Sequence, residues 1–193
     1  MAIKILPRVT KFIFLITLIL LVIGLLLPQQ YQIQKSITIH APQSNITPLL
    51  SDFTKWPSWS PWQKVDPSIV FTLGEPSAGV GAHQFWQSSW GFGEMTITNI
   101  SGAKINFNIL FNEEHIVTGE VSFSPQASGS LVTCTLFGEV TTPILGGYLA
   151  LFSQYILQNT LTLGLNNLKT AAQLQTIPQS EKVDDDSNSP SKN

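Results

Sequence analysis

The segment Gly146 to Leu174 carries the longest helical pattern outside an apolar run at the N-terminus, and it dictates what the rest of the chain must supply. Tyr148, Phe152 and Tyr155 recur at i, i+4 and i+7, and so do Leu161, Leu165 and Leu168, the spacing of a buried helical stripe. At ~100° per residue the two stripes fall on nearly opposite faces, with the change between Asn159 and Gly164. Either the helix bends at Gly164, or its two halves bury different faces. We read the second half as packed on a sheet and the first half as facing something else apolar. Most of Gln32 to Val140 has the pattern of that sheet.

Charge narrows the class of partner. Lys4, Arg8 and Lys11 make the N-terminal arm positive, whereas residues 30 to 175 carry five Lys against eight acids. Arg8 is the only arginine. A domain without guanidinium groups and with a negative balance is unsuited to phosphate or nucleic-acid recognition, which relies on clustered cations. The single cysteine, Cys134, forbids an intrachain disulfide and a cysteine-based zinc site.

Phe12 to Leu27 is an uninterrupted apolar run preceded by the three cations and closed by Pro28. As a helix it covers ~24 Å, and Val9, Thr10 and a snorkelling Lys11 extend it toward the ~30 Å of a hydrocarbon core. A cleaved signal peptide is the competing reading, but Pro28, Gln29, Gln30, Tyr31 and Gln32 offer no small residue for cleavage. We therefore expect an uncleaved single-pass anchor at 12–28. The cations ahead of it place the N-terminus in the cytoplasm and the following domain on the extracytoplasmic side, as for a bacterial inner-membrane protein.

Strands follow the anchor. In Tyr31 to Ala41, apolar Tyr31, Ile33, Ile37 and Ile39 alternate with polar neighbours. Pro42 to Phe53 reads as a short helix broken or restarted at Pro48, and Lys55 to Pro67, with three tryptophans and three prolines close by, as no regular element. Six more strands are expected near 69–73, 82–89, 94–100, 104–111, 116–123 and 131–140, with Gly, Asn or Pro at the turns. The clearest is Lys104 to Phe111, where Ile105, Phe107, Ile109 and Phe111 share one face. From Ile177 onward apolar content nearly vanishes and a disordered tail is expected. The layout is a cytoplasmic arm (1–11), an anchor (12–28), a domain (29–175) and a tail (176–193). The domain is α+β, one antiparallel sheet covered by one long helix.

Several strings carry a resemblance: Ile37 to Pro42 (ITIHAP), Asp52, Trp56, Trp59 to Trp62 (WSPW), Gly79 to Trp86 (GVGAHQFW), Gly91 to Ile97 (GFGEMTI), Leu163-Gly164-Leu165 and Leu168-Lys169. In order and spacing they resemble the membrane-anchored polyketide cyclase/dehydrase-like group of the START and plant-allergen-like helix-grip (SRPBCC) superfamily, over about residues 31 to 172. The resemblance implies a seven-stranded antiparallel sheet curled around the C-terminal helix, with two short helices after the first strand and a deep apolar pocket. Members mostly bind hydrophobic small molecules or lipids, and a minority catalyse cyclisation or dehydration. Cys134 stands where the family's strand usually has an aromatic, which enlarges the expected pocket, and Pro48 interrupts the first helix.

The candidate pocket residues are Trp62, Trp86, Trp90, Met95, Phe107, Phe111, Val121, Phe123, Cys134 and Leu136 from the loop and strands, with Tyr148, Phe152 and Tyr155 from the helix. Each has a plainer reading as core: Trp56, Trp59 and Trp62 as caps on the core's end, the others as ordinary packing, since interiors normally fill to crystal-like density. The opposed helix stripes and the resemblance favour a cavity. His83 with Glu94, or His115 with Glu120, are weak acid/base candidates, because no nucleophile or metal-ligand spacing joins them. No metal site and no cofactor is expected, and Asp184 to Asp186 read as solvated tail charge.

Three functions compete. The foremost is a membrane-anchored module binding a hydrophobic small molecule or lipid between sheet and helix. The second is a cyclase or dehydratase acting on a similar molecule, and the third a protein-interaction domain with a filled core and an exposed tryptophan patch.

Overall fold

A computed structural model describes residues 6–175; the expected tail at 176–193 and the start of the N-terminal arm lie outside the described residues. The first helix, α1, runs Leu6–Leu26 and begins earlier than the apolar run alone suggests. Lys and Arg are good helix formers, so Arg8 and Lys11 extend the helix instead of ending it. Its stretch Arg8–Leu26 has a mean hydropathy of 2.7 and is long and apolar enough to cross a membrane.

Seven strands form one antiparallel sheet: β1 (Gln30–Ile39), β2 (Val70–Leu73), β3 (His83–Ser88), β4 (Gly91–Ser101), β5 (Lys104–Phe111), β6 (His115–Gln126) and β7 (Gly129–Glu139). Their order is β1-β7-β6-β5-β4-β3-β2. From β2 onward each strand pairs with the next, and β1 pairs with β7, so the first strand after α1 lies beside the last strand before the long helix. Alternation survives folding intact in β1, where Tyr31, Ile33 and Ile39 are buried, and in β5, where Ile105, Phe107 and Ile109 are.

Between β1 and β2 lie α2 (Gln43–Ser51), a 3-10 turn (Phe53–Ser58) and the single-turn helix α3 (Trp62–Val65). Two expectations are corrected in this segment. Helix α2 runs through Pro48 without a break. Proline removes one N–H, and the partner it would have reached lies on exposed Ser44, where water can replace it. The tryptophan-rich stretch is also more regular than its prolines suggest. Pro57 sits inside the 3-10 turn and Pro61 caps α3, positions where a fixed φ costs little. Asp52 starts the turn by accepting a 2.9 Å hydrogen bond from the Thr54 amide.

The long helix, α4, spans Gly146–Leu174 and packs along β1. One face is buried over its whole length: Ala150, Leu157, Leu165, Leu168 and Ala172. The Leu161-Leu165-Leu168 stripe belongs to this inward face, whereas Phe152 and Tyr155 are 63 % and 66 % exposed on the outward one. The two stripes are therefore the two sides of one unbroken helix. Its first turn is tied to α1. The Tyr148 hydroxyl donates to the Leu20 carbonyl at 2.7 Å, and Gly24 lies against Ile144 and Tyr148 so closely that a Cβ there would meet the Ile144 carbonyl oxygen at 2.5 Å. Small residues make this crossing possible, as they do where helices pack within membranes.

Candidate functional site

The floor of the site is shaped by aromatic residues that lie down instead of standing up. Phe107 on β5 faces Gly119 on β6, and a Cβ added to Gly119 would fall 2.1 Å from the Phe107 ring. Trp86 on β3 covers Gly93 on β4 in the same manner, with a separation of 2.3 Å for an added Cβ. Only glycine lets a ring settle on the neighbouring strand. Large side chains at inward positions consequently leave space above them, which a packed sheet would have filled.

That space divides into two adjoining hollows. The inner one, of about 100 Å³, lies between α4 and the sheet. Its walls are Leu157, Leu161, Gly164, Leu165 and Leu168 of α4, Phe107, Val121, Cys134 and Leu136 of the sheet, and Trp56, Trp59 and Trp62 of the loop. Thr160 is its main polar wall residue. The outer hollow, of about 110 Å³, lies between α3 and β2–β5, with Trp86, Trp90, Phe92 and Phe111 along it and Asp66, Gln84 and Asn112 as polar groups. Trp62, Met95 and Ile109 border both, so a tryptophan and a flexible methionine form the partition.

The loop carrying the partition is pinned just ahead of Trp62. Trp56 and Trp59 are buried, and their indole N–H groups donate to the carbonyls of Leu50 (3.2 Å) and Leu49 (2.9 Å). Asn167 of α4 donates to the Trp59 carbonyl at 3.0 Å, which ties the loop to the helix. Trp62 follows this anchored pair and is only partly buried. A further depression of about 300 Å³ between the Trp56 turn and β2 shares Gln84 and Phe71 with the outer hollow, so the loop has space on both sides.

The lining of the inner hollow includes no charged residue. The Cys134 thiol is buried, and loss of solvation pushes its pKa up to about 12, so it stays protonated and acts as a small apolar wall residue. Asp66 accepts hydrogen bonds from the Ser68 hydroxyl (2.6 Å) and amide (2.9 Å), which hold its carboxyl below the usual range. An ionised carboxylate therefore stands at the edge of the outer hollow, held by Ser68.

Of the residues expected to form the pocket, Trp62, Met95, Phe107, Val121, Cys134 and Leu136 line the inner hollow, and Trp86, Trp90 and Phe111 line the outer one together with Trp62 and Met95. Phe123 is buried but borders neither, because it sits farther along β6 opposite Val132. Tyr148, Phe152 and Tyr155 also border neither: Tyr148 faces α1, and the other two point outward. The helix wall is made instead by Leu157 to Leu168, whose leucine stripe reads in the sequence as solid sheet packing. The acid/base pairs do not form. His83 and Glu94 sit on the outer face of β3 and β4, with His83 Nδ1 3.1 Å from the Gly81 carbonyl oxygen. Glu120 is 2.9 Å from the Lys104 ammonium, and His115 lies 3.9 Å from Glu114. Among the described residues no group of three or more His, Cys, Asp or Glu side chains is arranged to hold a metal.

The geometry has close counterparts among solved structures. TTHA0849 from Thermus thermophilus superposes with a TM-score of 0.55 at 20% identity, covering 76% of this chain and 100% of that one. Ara h 8.0201 does so with a TM-score of 0.52 at 13% identity, covering 75% and 99%. The di-domain ARO/CYC StfQ from the steffimycin biosynthetic pathway gives a TM-score of 0.52 at 13% identity, covering 76% of this chain and 52% of that one. At these identities the likeness is one of fold, the helix grip. None of the curated proteins compared with the chain matches it significantly. The sequence profile of one family, described as polyketide cyclase / dehydrase and lipid transport, matches residues 30–173, from the first strand to the last turns of α4. A match over that much of the chain, on a fold of this kind, makes the protein a member of the polyketide cyclase / dehydrase and lipid transport family.

Proposed function

We propose that the protein is a membrane-anchored binding protein that holds a hydrophobic small molecule or lipid between its sheet and α4. The observation that carries this reading is the inner hollow: a space between sheet and α4 walled by aliphatic and aromatic side chains and Cys134. At about 100 Å³ it admits a group on the scale of a benzene ring, smaller than ordinary ligand pockets of roughly 300–1,000 Å³. A larger ligand fits when Trp62 and Met95 move aside and the two hollows become one. Burial of its apolar surface at ~25 cal/mol per Å² supplies the affinity, and Gln84 or Thr160 orients a polar end.

Residues 12–28 serve as the anchor in this reading, with the N-terminus in the cytoplasm and residues 29–175 on the extracytoplasmic side. The absence of small residues after the apolar run and the packing of α4 on α1 support an uncleaved helix. Binding is favoured over cyclase or dehydratase chemistry because, among the described residues, no histidine borders either hollow and Asp66 is engaged by Ser68. It is favoured over a protein-interaction role because Trp56 and Trp59 are buried instead of forming a surface patch.

The test is native mass spectrometry of full-length protein extracted in mild detergent, followed by titration of delipidated protein with a fluorescent fatty-acid probe. A retained apolar mass and saturable probe binding are expected. Gly164→Leu, which sends a side chain into the inner hollow, should weaken probe binding at least tenfold while the thermal unfolding midpoint shows that the domain remains folded. Equal probe binding by the folded variant and the parent would refute the site.

A further inference from the structure

The end of the sheet that receives α1 also gathers exposed apolar side chains. Strand directions place the start of β1, the end of β7, the β3–β4 turn and the first turn of α4 at that end. Exposed there are Trp90 on the turn, Phe92 beside it on β4, Leu145 just ahead of α4, and Leu149, Phe152 and Tyr155 on α4. Between Glu139 and Lys169 the chain has no charged residue. The outward stripe of α4 is most apolar in its first half; in the second, exposed Asn159, Thr162 and Asn166 leave Leu163 as its main apolar residue. A helix facing water throughout has no reason to change character midway along a single face.

Depth is set by α1. The Tyr148 hydroxyl bonds to the carbonyl of Leu20, which lies about 9 Å inside the end of α1 at ~1.5 Å per residue, and Gly147 abuts Leu27. Whatever surrounds the last turns of α1 therefore also surrounds the first turns of α4. The outer hollow reaches the same end of the sheet through Trp90, Gly91, Phe92 and Asn112.

From this continuity, and resting on the reading of α1 as an anchor, we propose that the first half of α4 and the Trp90–Phe92 turn form a docking surface for the lipid bilayer, inserted at the membrane interface with the outer hollow opening toward lipid. A hydrophobic ligand then passes between bilayer and hollow without crossing water. Glu113, Glu114 and Glu139 lie at the same end, so insertion depends on apolar and aromatic burial and needs no anionic lipid. A second copy of the chain or another protein is the alternative occupant of this face.

Full-length protein in phosphatidylcholine nanodiscs, carrying one added cysteine labelled with an environment-sensitive fluorophore, tests the idea; buried Cys134 does not compete for the label. Labels at Leu18, Phe152, Trp90 and Asn166 are compared for quenching by lipid-borne nitroxide and by aqueous iodide. Expected is nitroxide quenching at Leu18, Phe152 and Trp90 and iodide quenching at Asn166, unchanged on adding anionic lipid. A Phe152 or Trp90 label quenched by iodide while the Leu18 label is quenched by nitroxide overturns the docking surface and leaves the anchor standing. A Phe152 label reached by neither quencher means that protein covers this face, and that also overturns it. A Leu18 label quenched by iodide overturns the anchor reading, and the docking surface with it.

Discussion

The two halves of α4 present the same helix to different surroundings. In the second half, Leu157, Leu165 and Leu168 are buried against the sheet and the hollow, while Asn159, Thr162 and Asn166 face outward. In the first half the inward residues are small, Gly146, Gly147 and Ala150, and the large ones, Phe152 and Tyr155, are outside. The difference teaches that side-chain size along α4 follows the partner: leucines where a curved sheet leaves room, glycines where Leu27 and Gln29, just past the end of α1, pass close. The inner hollow belongs to the second half and the attachment to α1 belongs to the first.

The sharpest way to break this comparison is to truncate one side chain from each half. Leu168 is fully buried, so Leu168→Ala should cost about 2–5 kcal/mol in denaturant unfolding, whereas Phe152→Ala, 63 % exposed, should change stability in detergent by less than about 0.5 kcal/mol. Similar losses at both positions would mean that the first half is packed within the protein. Next in size, Gly119→Ala forces the Phe107 ring off the neighbouring strand and up into the inner hollow. We expect a cost of about 1–3 kcal/mol and roughly tenfold weaker probe binding. Unchanged binding in a folded variant would show that the reclining ring does not keep the space open.

A smaller effect isolates the first half. Tyr148→Phe deletes the hydrogen bond to the Leu20 carbonyl and should cost about 0.5–1.5 kcal/mol while leaving probe affinity as it was. Altered probe affinity would couple the two halves and contradict their separation. The smallest effect near neutral pH is at Cys134, which should resist thiol reagents in the folded protein at pH 8. Its folded pKa lies above the ordinary value of 9, so folded and unfolded chains hold the same proton below pH 9 and nothing is gained or lost there. As pH rises from 9 toward 12 the unfolded chain releases a proton that the folded one keeps, and stability falls. Unfolding curves across that window should be flatter for Cys134→Ala; an equally steep decline would assign the loss to other groups.

Local pattern carried the strands, the long helix and the apolar anchor-length run into the structure almost unchanged, because alternation and heptad-like spacing state which side of an element avoids water. It misread α2 and the tryptophan loop, where proline's fixed φ suited the helical turns that form. It also placed Tyr148, Phe152 and Tyr155 in the pocket, because an apolar stripe announces an apolar neighbour without saying which one. The leucine stripe lines the inner hollow, yet a wall and a packed core have the same periodicity.

By itself, then, the sequence determined the order of elements, the inward residues of β1 and β5, the opposition of the two stripes of α4 and the family to which they belong. Only tertiary structure decided that Phe107 and Trp86 recline on Gly119 and Gly93, that Trp62 and Met95 divide the resulting space, and that Tyr148 turns to α1. The physical reason is that periodicity encodes burial, a property of one residue and its surroundings. A hollow is set by the shapes of side chains brought together from strands far apart in the chain, and spacing along one element does not record those shapes.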